Sequence, residues 1–494
     1  MKSASTASHN LLSRDDLLVL GAAAIISGAI YLVASALTFR VGFPLDDSWI
    51  HQTYARNLAL HGEWSFRLGI PSAGSTSPLW SGLLVPGFWL GFAPLGWAYL
   101  LGILSLFGLA AASEFGVRRI SESYRPRLPW VGLFMAFEWH LAWAAMSGME
   151  TLLYALLVTA VLLSLLAPTR NYLQLGWLIG LGVWIRPDGL TLLGPVILTA
   201  LLEGRDMKTR FHLLERCLIG FFALFLPYLL FNLWIGGRPL PNTFYAKQAE
   251  YGNWQASPVY EKLGQLSLQL LIGPSVILAV GAGAWVFARL RRAEWLQLVP
   301  VIWFAGYVWL YTARLPLYQH GRYIMPAMPI FFLFGWLGFL ELSGSPALGR
   351  WQWFARTLTR TSLLVVTLLF VILGARSYGQ DVAVIESEMV DTARWAARNL
   401  PSGTLVAAHD IGALGYFDDH PLIDLAGLIS PEAVPFMNND GQLAAFLEDR
   451  NADYLIAFPE FYPQLTLGKR MVFQTKGEFS PRFGYANMVI YAWK

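Results

Sequence analysis

Residues 43–51, with the sequence FPLDDSWIH, place two adjacent carboxylates directly after the first long apolar segment of the chain. These are Asp46 and Asp47, in a protein with only 14% charged residues. Acidic side chains at the exit from an apolar segment are candidates for function, because an ionisable group close to a membrane is costly to keep. Pro44, ahead of the pair, predicts that a helix begins there.

The composition indicates a polytopic membrane protein. Of the 494 residues, 55% are hydrophobic and 15% aromatic, which exceeds what the core of a soluble protein of this length needs. The 21 Trp and 20 Tyr suit the two interfaces of a bilayer. The net charge is only +3 and the basic residues lie in short clusters between apolar runs instead of forming one patch, so nucleic acid is not expected as a partner. Cys217 is the single cysteine, so no intrachain disulfide and no thiolate metal cluster are expected.

Eleven apolar runs have roughly the length that a membrane-crossing helix requires. The first is too long for the hydrophobic part of a cleaved signal peptide, and we expect it to be retained. The segment 78–92 is shorter and contains Pro86 and Gly87, so it could be a further span or an interfacial helix. The eleven runs are residues 17–37, 97–116, 129–146, 149–167, 173–185, 189–202, 217–235, 265–288, 295–311, 324–342 and 361–376.

Loop charge orients these runs, because Lys and Arg are enriched in cytoplasmic loops. If 78–92 does not cross the membrane, every dense basic loop falls on the side of the N-terminus. If it crosses, those loops move outside. We therefore interpret 78–92 as a juxtamembrane helix at the outer interface, and we predict a multi-pass plasma-membrane protein whose N-terminus is cytoplasmic.

The same topology divides the chain into two predicted domains. Residues 1–377 form a transmembrane domain, in which the outer loop 39–96 carries the acid pair. Residues 378–494 lie outside the membrane and mix helical with strand-like patterns, which predicts a small α/β domain. The fold class is thus a polytopic α-helical membrane protein with about eleven spans, outer juxtamembrane helices and an extracytoplasmic C-terminal domain.

The acid pair suggests two kinds of chemistry. A helix that begins at Asp47 places His51 and Tyr54 on the same face. Ionised carboxylates at the rim of a cavity can take a proton from an attacking hydroxyl, or they can hold a divalent cation. The alternative interpretation is that Asp46 merely caps the helix.

Four cationic residues form a second set: Arg186, Lys247, His320 and Arg322. Basic groups beside an apolar groove at a membrane interface suit the phosphate of a lipid, and Arg can grip a phosphate with two hydrogen bonds. The alternative is ordinary snorkelling of long basic side chains to the interface. Arg186 could instead pair with Asp188 to stabilise a broken helix.

Other polar residues have structural interpretations. Glu138 and His140 lie within an apolar run and are expected to pair with each other. Glu150 begins a span, where it either caps the helix or contributes to a site. His409 with Asp410 is expected to order a loop. The sequence contains no GxSxG, HExxH, Walker or CxxC pattern, which argues against the familiar hydrolases, metalloproteases and ATP-driven pumps.

Short polar phrases follow one another in a set order along most of the chain. They are LDDSWI at 45–50, YARNL at 54–58, GSTSPLW at 74–80, SGMET at 147–151, IRPDG at 185–189, LPNTFYAK at 240–247, GALGYF at 412–417 and DLAGL at 424–428. In this order they resemble the GT-C superfamily of integral-membrane glycosyltransferases, closest to the branch with the mycobacterial terminal arabinofuranosyltransferases.

This resemblance implies transfer of a sugar from a polyprenyl-phosphate carrier to an extracytoplasmic hydroxyl of a glycan, lipid or protein. It implies Asp46 or Asp47 as the base in a single inverting displacement, with cationic residues holding the leaving phosphate. A divalent cation at the acid pair is permitted but not required. Further substrate contacts are predicted for His51, Tyr54, Ser75, Thr76, Trp80, Glu150, Asn242, Tyr245 and Tyr323.

Two other classes of function remain open at this point. In a lipid or solute transporter, Asp46 and Asp47 would form a coupling-ion site. Transporters commonly show paired repeats and polar groups near the bilayer midplane, whereas here no repeat is evident and the polar phrases collect at one interface. In a sensor that binds a ligand on its external domain, the acid pair could be neutralised without loss of function.

Overall fold

A computed structural model describes residues 12–121, 124–344, 349 and 351–494, and these are mostly helical. The helices are α1 Arg14–Thr38, α2 Asp47–His61, α3 Pro78–Trp89, α4 Pro94–Ile120, α5 Trp130–Phe137, α6 Trp139–Ala145, α7 Thr151–Leu165, α8 Tyr172–Ile185, α9 Leu193–Glu203, α10 Met207–Gly236, α11 Asn242–Glu250, α12 Gly252–Ala256, α13 Val259–Leu271, α14 Ser275–Arg291, α15 Trp295–Arg314, α16 Tyr318–Gly321, α17 Met328–Gly344, α18 Gln352–Ile385, α19 Asp391–Asn399, α20 Gly412–Phe417, α21 Asp440–Asp449, α22 Pro463–Thr466 and α23 Phe479–Arg482. The strands are β1 Ser65–Arg67, β2 Ile70–Pro71, β3 Val406–Ala408, β4 Leu422–Asp424, β5 Tyr454–Ala457, β6 Arg470–Gln474 and β7 Val489–Ala492.

In the described part of the chain, six helical segments are long and apolar enough to cross a membrane. They are α1, α4, α10, α15, the segment Tyr318–Gly344 that ends in α17, and the segment Gln352–Asn399 that begins with α18. A seventh results if α13 and α14, which meet at 103°, are one bent span. The helices α7 and α8 are apolar but shorter. The membrane-protein class is thus supported, while the count of eleven spans stays a prediction.

Local chemistry explains why some predicted runs are interrupted. The run 129–146 breaks at Glu138, whose carboxylate caps α6 by accepting the backbone N–H of Leu141 at 3.1 Å. The other carboxylate oxygen lies 2.9 Å from His140 Nδ1, so the expected Glu138–His140 pairing is confirmed. The segment 78–92 forms the 12-residue helix α3. Such a helix is about 18 Å long, shorter than the bilayer core, which supports an interfacial position.

α17 is the central helix of the bundle. Its segment Tyr318–Gly344 is 89% buried, whereas the other candidate spans are 22% to 44% buried. α14 packs on α17 in backbone contact: a Cβ on Gly338 would lie 1.8 Å from the carbonyl oxygen of Gly281, and a Cβ on Gly281 would lie 2.2 Å from that of Gly335. Small residues at such a crossing let two helices approach closely. Within a membrane this close packing stabilises the helix pair, because the hydrophobic effect does not drive helices together in lipid.

The strands predicted in the C-terminal part are present and form one five-stranded sheet in the order β4-β3-β5-β7-β6. β3 pairs in parallel with β4 and β5, and β7 is antiparallel to β5 and β6. Alternate residues of β3 face opposite sides: Ala407 belongs to a small core of the sheet, whereas Val406 and Ala408 join the core of the helical bundle. The sheet is therefore packed on the bundle. Its place outside the membrane stays a prediction.

The continuation of α18 connects the bundle to the sheet through buried carboxylates. Arg40 donates to Glu386 at 2.6 Å and to Asp391 at 2.7 Å, which joins the end of α1 to this segment. Glu388 is fully buried and accepts from the side chain of Thr475 and from the backbone N–H of Met488 at 2.9 Å. Since a buried carboxylate without partners would be strongly destabilising, these contacts hold the sheet in one position.

We expect Gly281→Ala to destabilise the protein, because the added methyl group meets the backbone of α17, which cannot move aside as a side chain could. Overpacking of this kind costs about 1–3 kcal/mol. Gly283→Ala on the same helix is the matched control, since nothing lies within 4 Å of its added Cβ. The midpoint of thermal unfolding in detergent measures both. Equal midpoints for the two variants would contradict the close packing of α14 on α17.

Candidate active site

A cleft with an empty volume of about 1160 Å³ opens beside the first turn of α2. It is bounded by α11, by the end of α15, by the turn ahead of α17 and by the loop that joins α8 to α9. The sequence-predicted site residues that line this cleft are Asp47, His51, Thr76, Glu150, Arg186, Lys247, Arg322 and Tyr323. The structure thus brings together eight side chains from separate parts of the chain.

Asp47 faces the cleft. As predicted, it begins α2, and His51 one turn later lines the cleft on the same helix face. Its Oδ2 accepts a hydrogen bond from the guanidinium of Arg322 at 2.7 Å. Burial would raise the pKa of Asp47, but the positive charges of Arg322 and Lys247 outweigh burial and hold that pKa well below its usual value. Asp47 is therefore an ionised carboxylate at neutral pH.

Asp46 points the other way. The capping interpretation is wrong, because its side chain makes no capping hydrogen bond to α2. Instead, Oδ2 accepts the backbone N–H of Gly412 at 2.6 Å and Oδ1 accepts that of Ala413 at 2.8 Å. Burial and the neighbouring carboxylate of Asp410 raise the pKa of Asp46 to about 8, against these two donors. Asp46 therefore connects the bundle to the C-terminal part of the chain.

Two of the predicted cations meet at one tyrosine. Lys247 Nζ donates to the hydroxyl of Tyr323 at 2.8 Å, and Arg322 Nη2 donates to the same hydroxyl at 3.1 Å.

The turn before Arg322 has three consecutive residues in the left-handed region, with φ of 50° at Gln319, 60° at His320 and 70° at Gly321. A residue other than glycine held there costs about 1–3 kcal/mol and is often found at functional sites.

Arg186 is already compensated by carboxylates. Nη1 donates to Glu150 at 2.8 Å, Nε donates to Asp188 at 2.8 Å, and Nη2 lies 3.3 Å from the hydroxyl of Tyr311. The expected pairing of Arg186 with Asp188 is confirmed, and it holds the short 3₁₀ turn Pro187–Leu192 that interrupts the helices. Among the described lining residues, the cations with fewer carboxylate partners are Lys247, Arg314 and Arg322.

The remaining predicted residues lie outside the cleft lining and support it. The Tyr54 hydroxyl bonds to Ser72 Oγ at 2.6 Å and accepts the N–H of Gly74 at 2.9 Å, which orders the loop that carries Thr76. Ser75 Oγ lies 3.0 Å from the hydroxyl of Ser81, which in turn contacts His51. Their roles in substrate binding stay predictions.

Trp80, Asn242, Tyr245 and His320 complete this outer set. Trp80 Nε1 donates to the carbonyl of Gly148 at 2.9 Å, and Asn242 Nδ2 donates to that of Leu428 at 3.2 Å. The Tyr245 ring lies 5.0 Å from the guanidinium of Arg238. His320 Nε2 lies 2.8 Å from Asp381 Oδ2, between the rings of Trp139 and Trp143. In this position His320 is paired with a carboxylate and does not line the cleft.

The structure adds lining residues that were not predicted as site residues. Leu428 reaches the cleft from the C-terminal part because the Asp424 carboxylate accepts three backbone N–H groups, those of Ala426, Leu428 and Ile429, and folds a tight turn. Burial raises the pKa of Asp424 to about 6. Tyr311 and Arg314 end an apolar run, where nothing in the sequence distinguishes them from interfacial anchors. Asp188 lies in the IRPDG phrase, where the sequence indicated it only as a partner for Arg186.

A metal-binding arrangement is not present among the described residues, where no three His, Cys, Asp or Glu side chains are placed to hold an ion together. Asp46 and Asp47 do not converge, since one accepts from Gly412 and Ala413 and the other from Arg322. As arranged here, Asp46 and Asp47 do not fit a shared divalent cation.

We expect Asp46→Asn to make stability less dependent on pH. Because the pKa of Asp46 rises from its ordinary value of 3.8 to about 8, the folded protein binds more protons than the unfolded chain between these values, and stability falls as pH rises through that window. Asn cannot titrate. The amide NH₂ group of Asn also cannot accept a hydrogen bond, so one backbone N–H is left without its acceptor, which costs about 1–3 kcal/mol at low pH.

Thermal midpoints at pH 5 and pH 8 measure this effect. Asp47→Asn is the matched control, because the pKa of Asp47 is shifted in the opposite direction. Removing Asp47 is therefore not expected to reduce the fall in stability as pH rises. An Asp46→Asn variant with the wild-type difference between the two midpoints would contradict the assignment.

No curated protein matches this chain by sequence. A family model described as a domain of unknown function (DUF8728) matches residues 378–491. Among solved structures, ArnT from Cupriavidus metallidurans in the apo state is 17% identical with a TM-score of 0.62, and the match covers 97% of this chain and 98% of ArnT.

Two further structures show the same similarity. The Archaeoglobus fulgidus oligosaccharyltransferase is 11% identical with a TM-score of 0.59, over 91% of this chain and 70% of that one. The mycobacterial arabinofuranosyltransferase AftD is 17% identical with a TM-score of 0.53, over 97% of this chain and 40% of that one. This chain therefore shares its fold with ArnT, the oligosaccharyltransferase and AftD, as the resemblance to GT-C glycosyltransferases predicted.

Proposed function

We propose that this protein is a membrane glycosyltransferase that moves a sugar from a polyprenyl-phosphate carrier to an acceptor hydroxyl. The observation that carries this proposal is the Asp47 carboxylate, ionised and 2.7 Å from Arg322 in a cleft whose same wall carries Lys247. The similar ArnT has been solved with undecaprenyl phosphate, and the similar archaeal oligosaccharyltransferase with a dolichol-phosphate. A carboxylate beside two cations suits a reaction that moves a proton and releases a phosphate.

The cations of one wall suit the leaving phosphate. Lys247 and Arg314 have no carboxylate partner in the described part of the chain, and Arg322 shares its charge with Asp47 alone. Hydrogen bonds from Arg and Lys to phosphate are roughly twice as strong as neutral ones. Arg186 has two carboxylate partners, Glu150 and Asp188, and so contributes less net charge. We assign Arg186 to positioning, and Lys247, Arg314 and Arg322 to the phosphate.

Asp47 is the proposed base. In the reaction, the acceptor oxygen forms a bond to the anomeric carbon, the bond from that carbon to the phosphate oxygen breaks, and the acceptor proton passes to Asp47. A single displacement of this kind inverts the anomeric centre. Asp46 is excluded from this role in the proposal because both of its oxygens accept backbone N–H groups away from the cleft.

Donor binding would activate this base. Without a ligand, Arg322 and Lys247 depress the pKa of Asp47, which makes the carboxylate a weak proton acceptor. A phosphate bound to the same two cations offsets their positive charge, so the pKa of Asp47 rises towards the working range. Binding of the anionic donor thus makes Asp47 a stronger base. Removal of the acceptor proton before the donor has bound is disfavoured.

We also propose that the cleft opens on the non-cytoplasmic face of the plasma membrane, with residues 1–377 as the transmembrane domain and 378–494 outside. Support comes from the loop charges and from the position of the C-terminal part, which reaches the cleft through Leu428. Because that part is short, we expect the acceptor to be held mainly by the cleft itself.

The first test is turnover with a panel of polyprenyl-phosphate sugars in reconstituted bilayers. We expect Asp47→Asn to keep its fold and its donor affinity while transfer falls by at least about 10²-fold, since the amide cannot accept the proton. Glu63→Gln, an exposed acid outside the cleft lining, is the control. Wild-type turnover in Asp47→Asn would exclude the proposed base, and transport of the intact lipid with no sugar transfer would favour a transporter.

The second test concerns the leaving phosphate. Lys247→Gln and Arg314→Gln are each expected to weaken donor binding by about tenfold or more, which corresponds to the loss of one hydrogen bond to a charged group. Arg238→Gln is the matched control, because Arg238 is an exposed cation that lies against Tyr245 and does not line the cleft. Unchanged donor affinity in both cleft variants would indicate that these side chains merely snorkel.

A further inference from the structure

A second cavity lies at the opposite end of the bundle from the cleft. The central helix α17 shows this: Arg322 and Tyr323 precede its first residue and line the cleft, whereas its last residues, Ser343 and Gly344, line the second cavity. The 17 residues of α17 separate the two by about 25 Å. This second cavity, the distal groove, is lined by α5, α17, α18 and the loop ahead of α5.

The distal groove is large and aromatic. Its cavity volume of about 840 Å³ lies in the upper part of the range of about 300–1,000 Å³ that is typical of small-molecule sites. Its walls include Trp130, Phe134 and Phe137 from α5 and Trp336 and Phe339 from α17. Such a surface is apolar over most of its depth, and in a membrane it would be filled by hydrocarbon.

Basic residues collect at one end of the distal groove. Arg356 and Arg360 lie on the first turns of α18, and Arg125 lies on the facing loop. Arg356 Nε donates to the carbonyl of Ser343 at 2.6 Å, which holds this guanidinium at the end of α17. Arg125 Nη1 donates to the carbonyl of Tyr124 at 2.8 Å. The described lining residues include no acidic side chain, and no ion pair of these arginines occurs among the described residues.

The apolar part of the distal groove extends from the arginines along α18. Along α18 the lining runs from Arg356 through Leu364 to Leu368, a rise of about 18 Å. Leu364 and Leu368 remain 52% and 56% exposed, so the groove is open on that side. A charged end followed by an open apolar channel of this length matches the shape of a membrane lipid with its headgroup among the arginines.

We infer that the distal groove binds an anionic phospholipid of the bilayer, with its phosphate-bearing headgroup between Arg125, Arg356 and Arg360 and its acyl chains along α5 and α18. The charge of the arginines selects an anionic headgroup over a zwitterionic one, and the aromatic walls hold the chains. This site is separate from the cleft, and its occupancy does not depend on glycosyl transfer.

The test measures lipid retention by native mass spectrometry on the full chain. Delipidated protein in detergent is titrated with phosphatidylglycerol or with phosphatidylcholine of the same acyl chains. We expect the wild type to retain phosphatidylglycerol at least about tenfold more tightly, since each basic residue near an anionic lipid contributes favourably. Arg356→Gln with Arg360→Gln is expected to remove this preference. Arg291→Gln with Arg292→Gln, two exposed arginines that do not line the distal groove, is expected to keep it.

Two further variants separate the possible outcomes. Lys247→Gln with Arg314→Gln lies in the cleft and is expected to leave phosphatidylglycerol retention unchanged, which distinguishes the distal groove from the proposed donor site. Leu340→Trp narrows the groove and is expected to weaken both lipids. Equal retention of the two lipids by the wild type, or equal losses in the groove pair and in the Arg291 and Arg292 pair, would overturn the inference.

Discussion

Two consecutive carboxylates held by different partners are the constraint on which the rest of this structure depends. Asp46 accepts two backbone N–H groups from the first turn of α20, while Asp47, one residue later, accepts from Arg322. Consecutive residues at the start of a helix point in directions about 100° apart, so one element can serve two neighbours. The first turn of α2 thereby joins the C-terminal part of the chain to the wall of the cleft.

Charge compensation explains how so many ionisable groups share this buried region. Unpaired buried charges are strongly destabilising, and pairing with good geometry offsets that cost. Arg186 has two carboxylates and Asp47 has one guanidinium, while His51 lies 3.5 Å from Glu150. The excess of positive charge is left on the wall formed by Lys247, Arg314 and Arg322. In the proposed reaction an anionic substrate would complete the compensation there.

The same bundle presents two different surfaces at its two ends. At one end, strained backbone at Gln319 and His320 precedes Arg322, and acidic and basic side chains together line the cleft. At the other end, aromatic walls and arginines form the distal groove without an acidic residue among its described lining. The buried helix α17 extends from one end to the other, and α14 packs closely on it because glycines leave no side chains between the two backbones.

The sequence alone predicted the membrane class, the apolar runs that contain the long helices, the strand-like patterns of the C-terminal part, the helix start at Asp47 and eight of the residues that line the cleft. These follow from hydropathy, periodicity and local phrases, which act over a few turns of chain. The tertiary structure alone gave Asp46 and Asp47 different partners, placed His320 against Asp381, compensated Arg186 with Glu150 and brought Leu428 into the cleft. Those outcomes depend on contacts between residues that are tens to hundreds of positions apart, and the direction of each side chain is set by the packing of its helix and not by its neighbours in sequence.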